Sequence, residues 1–593
     1  MPPSAHLGLG AVPFAGGVAF RAWAPFAAAV AVVGEFNGWD DDANPMAAEP
    51  GGHWSTDVPG ARVGQRYRLA VTTAQGQLVR RIDPRVRAVT SSIGDGIVCA
   101  PDDFDWGQDD YRTPAWNHVV LYELHVGTFN DSPGGGVGTL RSAAERLGHL
   151  RDLGVNAVEL MPVTEFGGIS SKGYNPALPF AVESDYGGRT ALKEFVREAH
   201  RHGIAVLLDV VFNHFGAADL EHSLWRFDGW HEGEGGGVYF YNDWRMHTPW
   251  QSPRPDYGRP EVCRFVVDNV LMWLEEFRVD GLRIDQTAQT WAASGQFLPE
   301  GWRLLQDLNQ AVDRHQPWKT MIAEDFAGGA AVTRPVGSGG LGFDVQWDPF
   351  VHDLRAALVT PWDRDRDVGR VAAALTRSYD GAFPRVVYTE SHDENGNGGR
   401  RLPEEISPGA AADVFAKKRS TLGAALVLTA PGLPLLFQGQ EFLEDTWWSD
   451  DRTLDWTKLA RFHGITQLYR DLVHLRRNWY DTTRGLTGQG INVHHVDHAG
   501  KLLAFHRWSM GGPRDDVVVV ANLGCVDHSA YRIGLPRAGR WRVRLNSDWS
   551  GYDPSFSSRP GYDPVTDPIA WDGLAFSADV GVAGYSVLVL SQD

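Results

Sequence analysis

From about residue 119 the chain alternates short runs of apolar and β-branched residues with longer stretches whose apolar residues recur every three to four positions. The short runs, at 119–126, 157–162, 205–211, 281–285, 320–324, 343–347, 385–390 and 433–438, predict eight strands. The longer stretches predict amphipathic helices between them: 139–153, with apolar residues at 140, 143, 147 and 150, then 190–202 and 264–277. Eight strands separated by helices predict an α/β fold, a (β/α)8 TIM barrel with insertions over residues 113–480. The segment 215–260, rich in Gly, Trp, Tyr and Asp, is too long for a plain connector and predicts a functional excursion beside the site.

The flanks follow a different period. Short strand-like runs at 18–23, 27–33, 65–73 and 78–82, punctuated by Gly34, Asn37 and Gly38, predict an N-terminal β-sandwich over residues 1–112. No long helix-period segment precedes about residue 138, and 101–118, rich in Asp, Trp and Pro, reads as a linker. After a helical run at 468–477, strand-like runs at 502–507, 517–521, 541–545 and 585–590 predict a C-terminal all-β domain over 481–593.

Composition narrows the function. The chain of 593 residues is 43% hydrophobic and 22% charged, ordinary for a soluble protein. A formal net charge of −19 repels nucleic acid and anionic membranes, so a neutral partner is expected. The 23 tryptophans suit sugar faces and cores alike. Three scattered cysteines, Cys99, Cys263 and Cys525, form no CxxC pair and predict neither a disulfide framework nor a zinc site. The N-terminus has no basic region followed by an apolar run, and the apolar stretch 423–437 is broken by Pro431, Gly432 and Pro434. A cytoplasmic protein without a membrane span is the expectation; the oligomeric state is open.

Three carboxylates close strand-like runs: Asp285 in Gly-Leu-Arg-Ile-Asp (281–285), Glu324 in Thr-Met-Ile-Ala-Glu (320–324) and Asp393 in Glu-Ser-His-Asp (390–393). In a parallel barrel the C-terminal strand ends form the catalytic face. Retaining cleavage of a glycosidic bond needs two carboxyl groups about 5–5.5 Å apart, one a nucleophile and one an acid that later acts as base. On strand count, Asp285 ends strand four and Glu324 strand five. Arg283, two residues before Asp285, shares its side of the strand and should keep Asp285 ionised. Glu324 would then need a raised pKa, expected to come from the neighbouring carboxylates. Any one such carboxylate read alone is a cap or an ion-pair partner; the combination carries the case.

Four segments, Asp-Val-Val-Phe-Asn-His (209–214), Gly-Leu-Arg-Ile-Asp (281–285), Ala-Glu-Asp (323–325) and Ser-His-Asp-Glu (391–394), resemble in order the sequence regions of the α-amylase family, glycoside hydrolase family 13. The resemblance implies Asp285 as nucleophile, Glu324 as acid/base and Asp393 as transition-state stabiliser. It implies Asp209, His214, Arg283 and His392 as groups holding sugar, with Tyr174 of Gly-Tyr-Asn-Pro as the stacking tyrosine and an α-glucan as substrate; the chemistry requires no cofactor, no metal ligand is assigned, and metal dependence is open. Asn213 stands where many α-amylases bind structural calcium; the following segment offers no evident oxygen-ligand cluster, so a hydrogen-bonding or sugar-site role is expected. Residues 20–25 and 33–40 resemble the N-terminal module of branching enzymes, isoamylases and trehalohydrolases, where Trp39 either touches glucan or packs.

The segment 121–129 is similar to both trehalohydrolases and branching enzymes. Glu-Ser-His-Asp-Glu (390–394), Gly-Phe-Asp-Val-Gln-Trp-Asp (342–348), and Leu-Phe-Gln-Gly-Gln-Glu-Phe (436–442) with Leu-Asp-Trp (454–456) resemble the branching enzymes more, although trehalohydrolases share part of the last. The expectation is therefore a 1,4-α-glucan branching activity, with trehalose release or another α-glucan hydrolysis as the alternative and a non-catalytic glucan-binding role as a third reading. Two residues depart from the family pattern: Gln286, where a small residue is common, and Asn395, where an apolar one is; both are expected to reshape subsites near the cleaved bond. Trp250, Trp347, Trp447 and Trp448 are candidate sugar platforms or packing residues.

Overall fold

The computed structural model describes residues 3–100, 102–131, 135–168 and 170–593. The eight predicted runs form eight parallel strands: β1 (Leu121–Leu124), β2 (Ala157–Leu160), β3 (Ala205–Val210), β4 (Gly281–Ile284), β5 (Thr320–Ala323), β6 (Val345–Trp347), β7 (Arg385–Val387) and β8 (Leu433–Phe437). Each pairs with its sequence neighbours and β8 pairs with β1, closing the barrel. The strand period of two explains the two burial patterns. Leu121, Ala157, Ala205, Leu207, Ile322, Val345 and Leu435 fill one apolar cluster, whereas Tyr122, Val158, Val206, Leu282 and Met321 belong to the cluster shared with the surrounding helices.

The helices begin and end close to their predicted places, at Gly188–Arg201, Pro260–Glu275 and His463–Arg476. The stretch 139–153 is an exception. It is two helices, Leu140–Ala144 and Leu147–Leu153, the first capped reciprocally by Thr139 and Ser142. The apolar stretch 423–437 divides between the helix Val414–Thr429 and β8. Among the described residues no helix is long and apolar enough to cross a membrane.

The N-terminal region is a sandwich of two antiparallel sheets. One holds Gly10–Phe14, Gly17–Trp23, His53–Pro59 and Ala47–Glu49; the other holds Ala29–Gly34, Arg66–Thr72, Leu78–Arg81 and Gly96–Ile97. Residues 102–118 do not behave as a free linker, and Pro101 lies outside the described residues. Asp103 pairs with Arg189 at 2.6 Å, Asp109 with His200 at 3.1 Å, and Tyr111 stacks on His200, so the segment is fastened along the barrel. C-terminally, a five-stranded sheet (Gly490–Asp497, Leu502–Trp508, Val517–Asn522, Ser586–Ser591, Arg542–Asn546) faces a pair formed by His528–Leu535 and Phe576–Val582. Val518, Val520, Leu588 and Leu590 pack with Ile533 and Val580 of that pair, and the alternate residues Val517, Val519, Val587 and Val589 join the main core. Burial of both faces explains why 517–521 reads as an unbroken apolar run.

The excursion 215–260 has two roles in the fold. Its first half docks the N-terminal sandwich: the Phe26 N–H donates to Asp228 at 2.9 Å, Phe26 stacks on Trp230, and Arg81 donates to the carbonyls of Phe227 and Arg226. Its second half carries Trp250 and Ser252 to the barrel mouth.

Candidate active site

Strand alternation and a single cation assemble the site. Arg283 of β4 is fully buried, and its side chain shares the site with Asp209 at the end of β3. Its Nη1 donates to both Asp209 oxygens, at 2.9 and 2.8 Å, and to Asp285 Oδ1 at 2.9 Å. Its Nη2 lies 2.8 Å from Glu324 Oε2, close enough for an ion pair although the angle is not that of a hydrogen bond. One guanidinium thus touches three carboxylates, and the ring of Trp347 lies 4.6 Å from it.

Each carboxylate has further partners. Asn213 donates to the Asp285 carbonyl at 2.9 Å and to Asp285 Oδ2 at 2.8 Å. The backbone N–H of Gln286 donates to Glu324 Oε2 at 2.9 Å and its side-chain Nε2 to Oε1 at 2.6 Å. Tyr174 donates to Asp209 at 2.6 Å and stacks on His392 with ring centroids 4.9 Å apart. His392 meets Glu123 through Nδ1 at 2.5 Å, and its Nε2 lies 3.4 Å from Asp393. Asp393 keeps 43% of its side chain exposed and accepts from Asn397 at 3.3 Å. His214 pairs through Nε2 with the Tyr174 carbonyl and stacks on Trp250 at 4.8 Å.

These groups surround a cavity of about 330 Å³, a size at the lower end for small-molecule pockets. Tyr174, His214, Trp250, Asp285, Gln286 and Asp393 are among its walls, with Lys172, Asn175, Ser252, His392 and Asn397. Asp209 and Arg283 lie buried beneath it. A second cavity of about 220 Å³ adjoins at Ser252 and runs along Leu220, Trp225, Met246 and His247 of the excursion.

Burial dominates the protonation energetics. It lifts Asp285 to about 6 against the opposing pull of Arg283. Arg283 limits that rise, so Asp285 stays largely ionised near neutral pH. Burial likewise lifts Glu324 to about 8, with the charges of Asp285 and Asp393 adding less than burial does, so the neighbouring carboxylates are not the leading cause. Asp209 rises to about 6 through burial, opposed by Arg283 and the Tyr174 hydroxyl. For His392, burial disfavours the cation, but Asp393 and Glu123 outweigh it and hold the imidazolium up to about 10. His214 falls to about 4 on burial and is neutral.

Three of the candidate platforms find different places. Trp250 is half-exposed in the cavity wall; Trp347 is buried beneath Arg283; Trp448 is buried among His125, His392 and Phe437. Trp447 is exposed beside Arg452. Trp39 is half-buried against Ala31, Val33 and Ala70. Asn395 is fully buried and donates to Glu390, so the expectation that it reshapes a subsite is not met at the cavity wall. Sequence reasoning passed over Glu123 and Glu159, adjacent in register on β1 and β2 and buried in the barrel. Burial, and then the charge of Glu123, raise Glu159 far above the ordinary carboxyl range, so it is neutral. The available signal was an acid inside each of two otherwise apolar strands, Leu-Tyr-Glu-Leu and Ala-Val-Glu-Leu. The hairpin Thr164–Phe166 with Pro176–Val182, whose loop delivers Tyr174, was also unread.

A closed (β/α)8 barrel with paired acids at its C-terminal mouth defines an enzyme of glycosidic-bond chemistry. The sequence model for the alpha amylase catalytic domain matches residues 124–479; that for carbohydrate-binding module 48 (isoamylase N-terminal domain) matches 8–85, and that for the alpha amylase C-terminal all-beta domain matches 493–593. A 1,4-alpha-glucan branching enzyme of Xanthomonas euvesicatoria is 33% identical, covering 96% of this chain and 78% of its own length. Another, of Marinobacter nauticus, is 32% identical over 97% of this chain and 94% of its own. The crystal structure of a pullulanase from Anoxybacillus sp. LM18-11 complexed with maltotetraose shares the fold, with a TM-score of 0.77 at 20% identity over 99% of this chain and 88% of that one. The chain belongs to the α-amylase family.

Proposed function

We propose that this chain is a 1,4-α-glucan branching enzyme. The carrying observation is the single guanidinium of Arg283 that touches both Asp285 and Glu324, which gathers on one cation the two carboxyl groups that a retaining mechanism needs. The near full-length similarity to proteins named as branching enzymes supports the choice of reaction within the family.

In the first step Glu324, as the acid, gives its proton to the glycosidic oxygen while an Asp285 oxygen bonds to the anomeric carbon and the C–O bond breaks. In the second, ionised Glu324 takes the proton of an acceptor 6-hydroxyl, whose oxygen bonds to the anomeric carbon as Asp285 leaves. Asp393, hydrogen-bonded only weakly to protein, is free to grip sugar hydroxyls as the ring distorts. The His392 imidazolium lies beside it with Tyr174 stacked on that ring, and Asp209, His214 and Arg283 complete the sugar-holding set. The reading divides the chain into 1–112, a module resembling glucan-binding ones, 113–480, the catalytic barrel, and 481–593, a β domain. The substrate is an α-glucan, neutral as the net charge of −19 favours, and the location cytoplasmic.

Incubation with amylose tests the proposal. Branching lowers iodine colour and adds α-1,6 proton signals with little reducing sugar. Rapid growth of reducing ends, or trehalose released from a maltooligosyl-trehalose, refutes it in favour of hydrolysis.

A further inference from the structure

Gln286 departs from the family pattern, and the structure gives it a specific contact. The residue follows the nucleophile and adopts a left-handed backbone, φ 39°, uncommon for a residue with a side chain. That turn aims its N–H at one oxygen of Glu324 and its side-chain amide at the other, at 2.9 and 2.6 Å. The next residue, Thr287, anchors the turn by donating through N–H and Oγ1 to the Glu324 carbonyl. Gln286 lines the cavity, and Glu324 lies buried behind it.

We propose that Gln286 is a positioning residue for Glu324: its amide donates to the carboxylate between the two steps and, turned over, accepts from the carboxylic acid that the first step requires. A primary amide carries both a donor and an acceptor, so it partners either protonation state of a carboxyl group; an alkyl side chain partners neither. The inference rests on the assignment of Glu324 as acid/base in the function proposed above.

The test is the pH dependence of kcat/KM on amylose for the parent, Gln286→Ala, Gln286→Gly and Gln286→Glu. Activity requires protonated Glu324, so the basic limb follows its ionisation. The bond donated to the ionised form is charge-assisted and roughly twice as strong as the neutral bond accepted from the acid, so its loss outweighs the other and raises that limb, by about 0.5–1 pH unit in the alanine and glycine variants. The glutamate variant adds a like charge and moves it further in the same direction. The glycine variant relieves the left-handed backbone, so a shift common to both truncations reflects the lost amide and not misfolding. A basic limb within about 0.2 unit of the parent in all three variants overturns the positioning role. Full activity of Asp285→Asn or Glu324→Gln, by contrast, overturns the function on which it rests.

Discussion

Replacing Glu324 by glutamine should stabilise the fold as it removes the activity. Glu324 has a folded-state pKa of about 8, raised first by burial, against about 4.3 in an unfolded chain. The unfolded chain therefore releases the proton first. The contribution of Glu324 to stability is greatest below about pH 4 and falls as pH rises toward about 8, because the folded state holds its proton longer. One pKa unit is about 1.4 kcal/mol, so the loss between about pH 5 and 7.5 is on the order of 3 kcal/mol. Glutamine does not titrate, is nearly isosteric, and leaves Arg283 paired with Asp209 and Asp285. With about 2.1 cal/mol/K of unfolding entropy per residue, that difference corresponds to about 2–4 °C in Tm, depending on whether barrel or whole chain melts as the unit. The assay is scanning calorimetry of parent and variant across that pH range. The Tm gap should widen in favour of Glu324→Gln as pH rises, while kcat falls about 10²–10⁴-fold for want of a general acid. Parallel Tm curves would show that Glu324 titrates as an ordinary carboxyl group and refute the reasoning.

The pH profile of kcat/KM should be a bell between about 6 and about 8: below the first Asp285 takes up a proton and loses nucleophilicity, above the second Glu324 loses the proton it must donate. The two limbs belong to the coupled pair, so Asp285→Asn is checked by loss of turnover, expected to exceed about 10³-fold, and not by a moved limb. Arg283→Leu leaves Asp209, Asp285 and Glu324 without their shared cation and should cost about 3–5 kcal/mol near neutral pH, less in acid where they protonate; equal losses in urea titrations at both pH values would contradict this. Trp250→Ala removes a half-exposed ring from the cavity wall and should raise KM for maltooligosaccharides several-fold, corresponding to about 1 kcal/mol, with melting unchanged; an unaltered KM would assign the ring to packing on His214 alone.

Much of the fold was legible because the barrel strands are apolar throughout and set apart by amphipathic helices: periods of 2 and 3.6 are properties of local sequence, and every predicted strand run from 119 to 438 carries one barrel strand. Asp285 and Glu324 were legible as strand-end acids for the same reason. Other features were decided only in three dimensions. Asp209, Asp285 and Glu324 converge on the Arg283 guanidinium because β3, β4 and β5 lie side by side in the closed sheet, a juxtaposition set by tertiary pairing. Glu123 comes within reach of His392, distant in sequence, only when β8 pairs with β1. The raised pKa values follow from burial, which a linear chain does not have. Trp347 and Trp448 read as possible platforms and became core, whereas Trp250 reached the cavity, since a tryptophan's side chain is the same in both settings and only the surrounding chain decides which face meets water.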